Sequence, residues 1–371
     1  MIKQHIGVQS IGIQCPMFKE GDNLPEMVVD AVLKATAVYD NGYDFSNDEP
    51  FYYDIDDKDI IGITESVVAR TNGTYLKIDD LVEEIKTLCP NGDIALLTPI
   101  YSRNRFSMIL RAFAKAANNI IISMPDFDEV GNPKGLNPNT GINIEEYYKQ
   151  ICEEEKCICK IVGPINELSN VVESFQTYYL VNCGLRPKYA STNDKMLTLK
   201  DFGTNVNLNY GLLGSNKANE DTLKLFPTVQ DSLRVCTSVK RVIKEKINKN
   251  VEVMIYGDGC FKDATSGIWE FADPDVSPFY TEGLEGSPNE IKLKEFADNK
   301  YANLSGDELN NAIKNEISNK KSDLIGSMKS QGTTPRKYVN LLASLMDLTS
   351  GSGDKGTPVV LVKNYFNNYS N

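Results

Sequence analysis

The chain has 371 residues, of which 41% are hydrophobic and 24% charged, the proportions of a water-soluble globular protein with an ample core. Its net charge of −12 argues against non-specific nucleic-acid binding, which needs a basic face to displace counterions. The single histidine, His5, lies in an N-terminal strand pattern and reads as structural, which nearly excludes a Ser-His-Asp triad, a Cys-His pair and a histidine-based zinc hydrolase, so acid–base chemistry falls to carboxylates, Lys, Tyr, Cys or metal-bound water.

In chain order, residues 2–13 alternate as a strand, and a turn at 15–22 leads into a helix capped by Asp22 or Asn23 that runs to Val38. Residues 40–57 are aromatic, acidic and aperiodic, and read as a surface loop. A strand over 59–63 leads into a helical turn over 64–70. A helix over 81–88, a strand over 94–98, a helix over 104–117, a strand over 120–124, a helix over 145–155, a strand over 157–162 and a helix over 165–175 follow. This alternation favours an α/β arrangement, although no Gly-x-Gly-x-x-Gly or Gly-x-x-x-x-Gly-Lys-Ser/Thr motif accompanies it. Arg103 and Arg105, near the start of the 104–117 helix, are either two surface arginines or a receptor for a substrate anion. Residues 183–224 read as irregular and polar, 238–249 as a basic helix solvated on most faces, and 285–321 as a charged, peripheral helical insertion.

The eight cysteines are scattered, as in a reduced, cytosolic chain. Cys157-x-Cys159 with Cys152 upstream can form a metal knuckle, but no second pair stands at zinc-ribbon spacing and the run reads as a strand. No apolar run approaches the ~20 residues of a membrane span, and the N-terminus lacks a secretory core, so a cytoplasmic protein is expected.

Two segments carry the chemistry. A strand over 251–256 runs into Gly257-Asp258-Gly259, with further acids at Asp263, Glu270, Asp273 and Glu282 around the only tryptophan, Trp269. Acids at a strand end beside glycines suit a divalent metal that holds phosphate oxygens; an acidic surface loop is the other reading. Near the C-terminus, a helix from Pro335 breaks into Thr349-Ser-Gly-Ser-Gly-Asp-Lys-Gly-Thr-Pro358, and a strand over 359–362 follows. That loop reads as a phosphate cradle with Lys355 as the cation, or as a plain connector.

Pro16-Met-Phe-Lys-Glu-Gly-Asp-Asn-Leu24 resembles the N-terminal signature of the coenzyme F-420:L-glutamate ligases, which attach glutamate to a deazaflavin cofactor with GTP and divalent metal. The segment with Ser66, Arg70 and Gly73, Asn209-Tyr-Gly-Leu-Leu-Gly-Ser-Asn216, Ser322-Asp-Leu-Ile-Gly326 and the 350–358 loop resemble further elements in family order. The resemblance implies an α+β, two-lobed fold in an intertwined homodimer, a single unit over 1–371 with insertions near 100–200 and 260–320. It implies nucleotide contacts at Cys15, Pro16, Met17, Phe18, Lys19, Ser66, Arg70, Asn216, Ser350, Gly351, Ser352, Gly353, Asp354 and Lys355. It implies Mg or Mn at Asp258, with Asp258 and Arg70 in catalytic roles and Arg70 standing where the family has Lys. The family's second metal aspartate falls on Leu213, so Glu220, Asp221 or Asp263 is expected to supply the missing carboxylate. The implied activity is a nucleotide- and metal-dependent amide ligase joining glutamate, or a similar amino acid, to an anionic small-molecule acceptor. A metal-dependent phosphohydrolase and a non-catalytic nucleotide-binding relative are the alternatives.

Overall fold

The computed structural model describes residues 7–38, 51–52, 55–90, 92–98, 101, 105–128, 131–138, 141–164, 178–184, 196–257, 260–262, 269–271, 275–320, 337–351 and 353–370. The fold is α+β, built on a mixed sheet and an all-parallel sheet. The mixed sheet has the order β1 (Gln9–Ile13), β12 (Val359–Lys363), β2 (Ile60–Thr64), β11 (Glu252–Tyr256). β12 is antiparallel to both neighbours, and β11 is parallel to β2.

Successive strand side chains point to opposite faces, so this sheet has two apolar faces and needs a layer on each. Ile13, Ile61, Ile63, Val253, Ile255, Val359 and Leu361 pack against α1 (Leu24–Thr36) and α6 (Val229–Ile247). Ile60, Met254, Tyr256, Val360 and Val362 pack against α8 (Tyr338–Ser350). Gly62 belongs to this second face, and a Cβ there would stand 2.1 Å from the sulfur of Met346, so its lack of a side chain lets α8 close. At the end remote from Ile13, Lys363 Nζ lies 2.8 Å from Asp59 Oδ2, both side chains buried.

The second sheet fills the region where an insertion is expected. β4 (Asp93–Leu97), β5 (Asn119–Ser123), β6 (Ile158–Val162), β7 (Tyr179–Asn182) and β8 (Met196–Thr198) lie in the order β8-β7-β4-β5-β6, every pair parallel. Read from β6, this is the 3-2-1-4-5 order of doubly wound sheets, which place ligands beyond the carboxyl ends of the first and fourth strands. α3 (Ile78–Leu88), α4 (Arg105–Ala116) and α5 (Ile144–Glu154) cover one face, with Phe113, Tyr148 and Phe106 in the shared core. A small sheet of β9 (Asn216–Asn219), β10 (Thr222–Lys224) and β3 (Tyr75–Lys77) joins that core through Leu76, Leu223 and Leu225.

Several expectations change. The first helix stops at Thr36, because Ala37–Val38 pair with Phe51–Tyr52, so the 40–57 stretch contains a two-residue strand. Residues 183–224 contain strands β8, β9 and β10, too short to register as periodic runs. The basic helix begins nine residues earlier than expected, where the Thr228 hydroxyl accepts from the Asp231 N–H at 3.0 Å. One of its faces is core, through Val235, Cys236, Val239, Val242 and Ile243. Residues 293–300 form a short helical stretch before α7 (Gly306–Asn319). The expected helix over 165–175 lies outside the described residues, as do residues 321–336, which include Ser322–Gly326.

Candidate active site at one end of the mixed sheet

Strand register brings distant segments together. Ile13 pairs with Val359, Val359 with Ile63, and Ile63 with Ile255, so these four residues form one row across the sheet. Just beyond that row lie the 15–19 turn, the start of α2 (Glu65–Thr71), Gly257 with the chain leading to Asp258, and the glycine-rich loop before β12. Backbone hydrogen bonds fasten the edges: the Cys15 N–H donates to Gly356 O at 3.0 Å, and the Thr64 N–H to Pro358 O at 2.9 Å.

Within the 15–19 turn, Pro16, Met17 and Lys19 are exposed, whereas the Phe18 side chain is buried in the α1 layer. Phe18 can therefore offer a ligand only its backbone. Burial pushes the Cys15 thiol up to about 11, which makes it a neutral contact rather than a thiolate nucleophile. The Gly21 N–H donates to Thr71 O, which seats the turn against the end of α2. Arg70, on the exposed side of that end, has no ion-pair partner among the described residues; neither do Lys19 and Lys355.

The glycine-rich loop is anchored at its root. The Thr349 hydroxyl lies 2.7 Å from that of Ser10, and the Thr357 hydroxyl donates to Ser350 O at 2.8 Å. Gly351 has φ +63° and ψ −149°, a region closed to side chains, and a Cβ there would sit 2.8 Å from Lys355 Nζ. Glycine therefore lets the lysine fold back over the loop. Tyr256, buried at the end of β11, donates its hydroxyl to Pro358 O at 3.5 Å; burial holds its phenol well above the usual range.

Residues that sequence reasoning passed over complete this end. Glu65, the first residue of α2, is held by Lys224 on β10 at 3.1 and 3.2 Å, both side chains about nine-tenths buried. Asn216 pairs with Lys224 in register, so the hairpin presents Asn216 beside this ion pair. Next to it, the buried Ser215 hydroxyl has no hydrogen-bond partner among the described residues. The available signal was a lysine between leucines in Thr-Leu-Lys-Leu-Phe226, a strand pattern with a charge at an inward position.

Other candidates stand elsewhere. Asp221 is at the β9–β10 turn, exposed and 3.3 Å from Arg111 on α4, while Glu220 pairs with Lys217. A turn places Asp221 at the opposite end of the hairpin from Asn216. Leu213 is packed in the core around the parallel sheet. Arg105 opens α4 after β4, at the carboxyl side of that sheet. Arg103, Asp258, Asp263 and Ser352, and the side chains of Arg105 and Glu270, lie outside the described residues. Among the described residues no three His, Cys, Asp or Glu side chains are grouped to hold a metal.

These features describe an α+β protein in which the 15–19 turn, the start of α2 and the loop before β12 meet at one end of the mixed sheet. Residues 12–364 match the sequence model of the F420-0:gamma-glutamyl ligase family, and the chain belongs to that family. Membership makes it a ligase that forms C–N bonds. A search of curated proteins gave no match. No helix among the described residues is long and apolar enough to cross a membrane.

Proposed function

We propose that the protein is a nucleotide-dependent amide ligase that joins glutamate, or a similar amino acid, to an anionic small-molecule acceptor, with Mg or Mn as the ion and GTP or ATP as the phosphate donor. The convergence of the 15–19 turn, the start of α2 and the 350–358 loop on one row of the mixed sheet carries this reading. Lys19, Arg70 and Lys355 supply positive charge for the nucleotide phosphates, and Ser66, Asn216 and the loop backbone supply neutral donors. Transfer of the nucleotide's terminal phosphoryl group to an acceptor carboxylate would create an acyl phosphate and release the nucleoside diphosphate; the amino-acid amine would then attack the acyl carbon, losing a proton as inorganic phosphate leaves and the amide forms. Arg70, beside the transferring group, would stabilise charge as it develops, and no histidine is needed.

Asp258 and Asp263 fit the ion by residue type and by their place after β11; Asp221, engaged with Arg111, does not. Arg103 and Arg105 are assigned to an acceptor anion, since α4 opens on the side of the parallel sheet where such sheets take ligands. A single functional unit over 1–371, assembled as a homodimer and working in the cytoplasm, belongs to the same reading.

The test is nucleotide hydrolysis measured with amino acid and acceptor added separately and together. Turnover that requires both supports the proposal. Turnover without an amine would make the protein a phosphohydrolase, and tight nucleotide binding without turnover would make it a binding relative. Asp258→Asn is expected to abolish metal-dependent turnover, and Asp221→Asn to leave it intact.

A further inference from the structure

The mixed sheet covers one of its edges and leaves the other open. On β11 the Ile255 N–H donates to Phe279 O at 3.0 Å, the Gly257 N–H to Val276 O at 3.0 Å, and the Thr281 N–H to Val253 O at 2.9 Å, so residues 276–281 close that edge. On β1 the inner edge is taken by β12, and no backbone hydrogen bond among the described residues reaches the outer one. Open strand edges are ordinarily blunted by a charge, a proline or a bulge. The edge strand of the parallel sheet, β6, follows that rule with the exposed Lys160. β1 does not. Residues 6–18 hold no charged side chain, the strand pairs with β12 without a shift in register, and Val8 and Ile11 are 51% and 39% exposed.

A groove of about 580 Å³ runs beside this edge. Ile11, Gly12 and Ile13 of β1 line one side, and Met27, Ala31 and Ala35 of α1 line the other. Ile13 packs into the α1 layer, and Ile11, two residues before it, shares that face of the sheet. The groove therefore lies where side chains of one further strand would enter between the sheet and α1.

We propose that the β1 edge and this groove receive a second copy of the chain, its β1 antiparallel to this one, so that two mixed sheets join across a two-fold axis. The proposal supplies the interface for the homodimer of the reading above, and rests on that reading only for the existence of a dimer. A two-fold contact needs a surface that complements itself, and an open strand edge does so through its own N–H and C=O groups. Copies of net charge −12 repel each other, and the uncharged 6–18 segment is where that repulsion is least. The α1 side of the groove also carries one acid and one base, Asp30 and Lys34, which pair at 2.7 Å within the chain. An axis perpendicular to the sheet keeps both α1 helices on one face and runs them in opposite directions, which sets Asp30 towards the partner's Lys34. Ala31 and Ala35 are small enough for the two helices to approach. Since β1 runs directly into the 15–19 turn, the same contact braces the strand from which that turn departs.

The experiment is sedimentation equilibrium of the full chain, with circular dichroism to confirm that each variant is folded. The parent is expected at twice the mass of one chain. Ile11→Lys, which charges the open edge, and Ala35→Arg, which fills the groove from an exposed position on α1, are each expected to weaken association about tenfold or more. Asp30→Lys is expected to weaken it as well, and Asp30→Lys with Lys34→Asp to restore it, because the exchange returns opposite charges across the axis. Amide exchange over residues 8–14 should slow as rising concentration carries the chain from monomer to dimer. A monomeric parent, a dimer indifferent to both Ile11→Lys and Ala35→Arg, or exchange over 8–14 that ignores assembly would overturn the proposal. These measurements read mass and protection rather than turnover, so they fail or succeed separately from the ligase reading.

Discussion

At the residue scale, the Lys224–Glu65 pair is the most consequential feature of the site end, because it couples a hairpin to the first residue of the helix that carries Ser66 and Arg70. A buried pair broken on one side leaves an uncompensated charge, whereas its replacement by apolar residues is nearly neutral. Lys224→Met is therefore expected to lose about 3–5 kcal/mol of unfolding free energy in urea, and Lys224→Met with Glu65→Leu to recover most of it. A single variant as stable as the parent would show the pair to be dispensable. Gly351 offers a separate test. Alanine there meets both a forbidden backbone region and the Lys355 side chain. Gly351→Ala should cost roughly 1–3 kcal/mol and weaken nucleotide binding measured by calorimetry. The sequence marks Gly351 and Lys355 by composition alone. It does not mark Glu65, whose partner lies 159 residues away.

Strands and helices of strong periodicity were legible. Ile60–Thr64, Glu252–Tyr256 and Val359–Lys363 occur within a residue or two of their expected places, since continuous apolar runs specify strands buried on both faces. Short strands such as Thr222–Lys224 were not, because three residues carry no period and their pairing is non-local. Tyr256 shows what one element does for another: from β11 its hydroxyl donates to Pro358 O, where the loop enters β12. Tyr256→Phe removes one hydrogen bond, worth about 1 kcal/mol of stability, and should raise the KM for nucleotide more than it lowers kcat. An unchanged KM would show the loop to be fixed without it. The α6 cap is independent of the site: Thr228→Ala is expected to cost about 1 kcal/mol in thermal unfolding while leaving nucleotide affinity as it was.

For the whole molecule, burial of thiols gives stability a defined dependence on alkaline pH. Cys15, Cys89 and Cys157 are each pushed up to about 11 by burial, from an ordinary value of 9.0. With the folded values raised, their contribution is complete below pH 9.0 and is lost as pH rises towards 11, where the unfolded chain has already ionised. Unfolding free energy should thus fall between those limits, and Cys89→Ala should flatten the slope even though it lowers stability at neutral pH. The sequence by itself pointed, through short motifs in family order, to the family and with it the α+β class, and it singled out the segments around 15–19, 66–70 and 350–358 as expected nucleotide contacts. These follow from local pattern and residue type. Only the tertiary structure decided that those segments share one sheet end, that Phe18 and Leu213 turn into cores, and that Asp221 answers Arg111. It alone decided that a chain without glycine-rich dinucleotide motifs builds a parallel sheet in doubly wound order. The physical reason is common to all of these: strand register and side-chain facing are set by contacts between residues far apart in the chain, which periodicity does not encode.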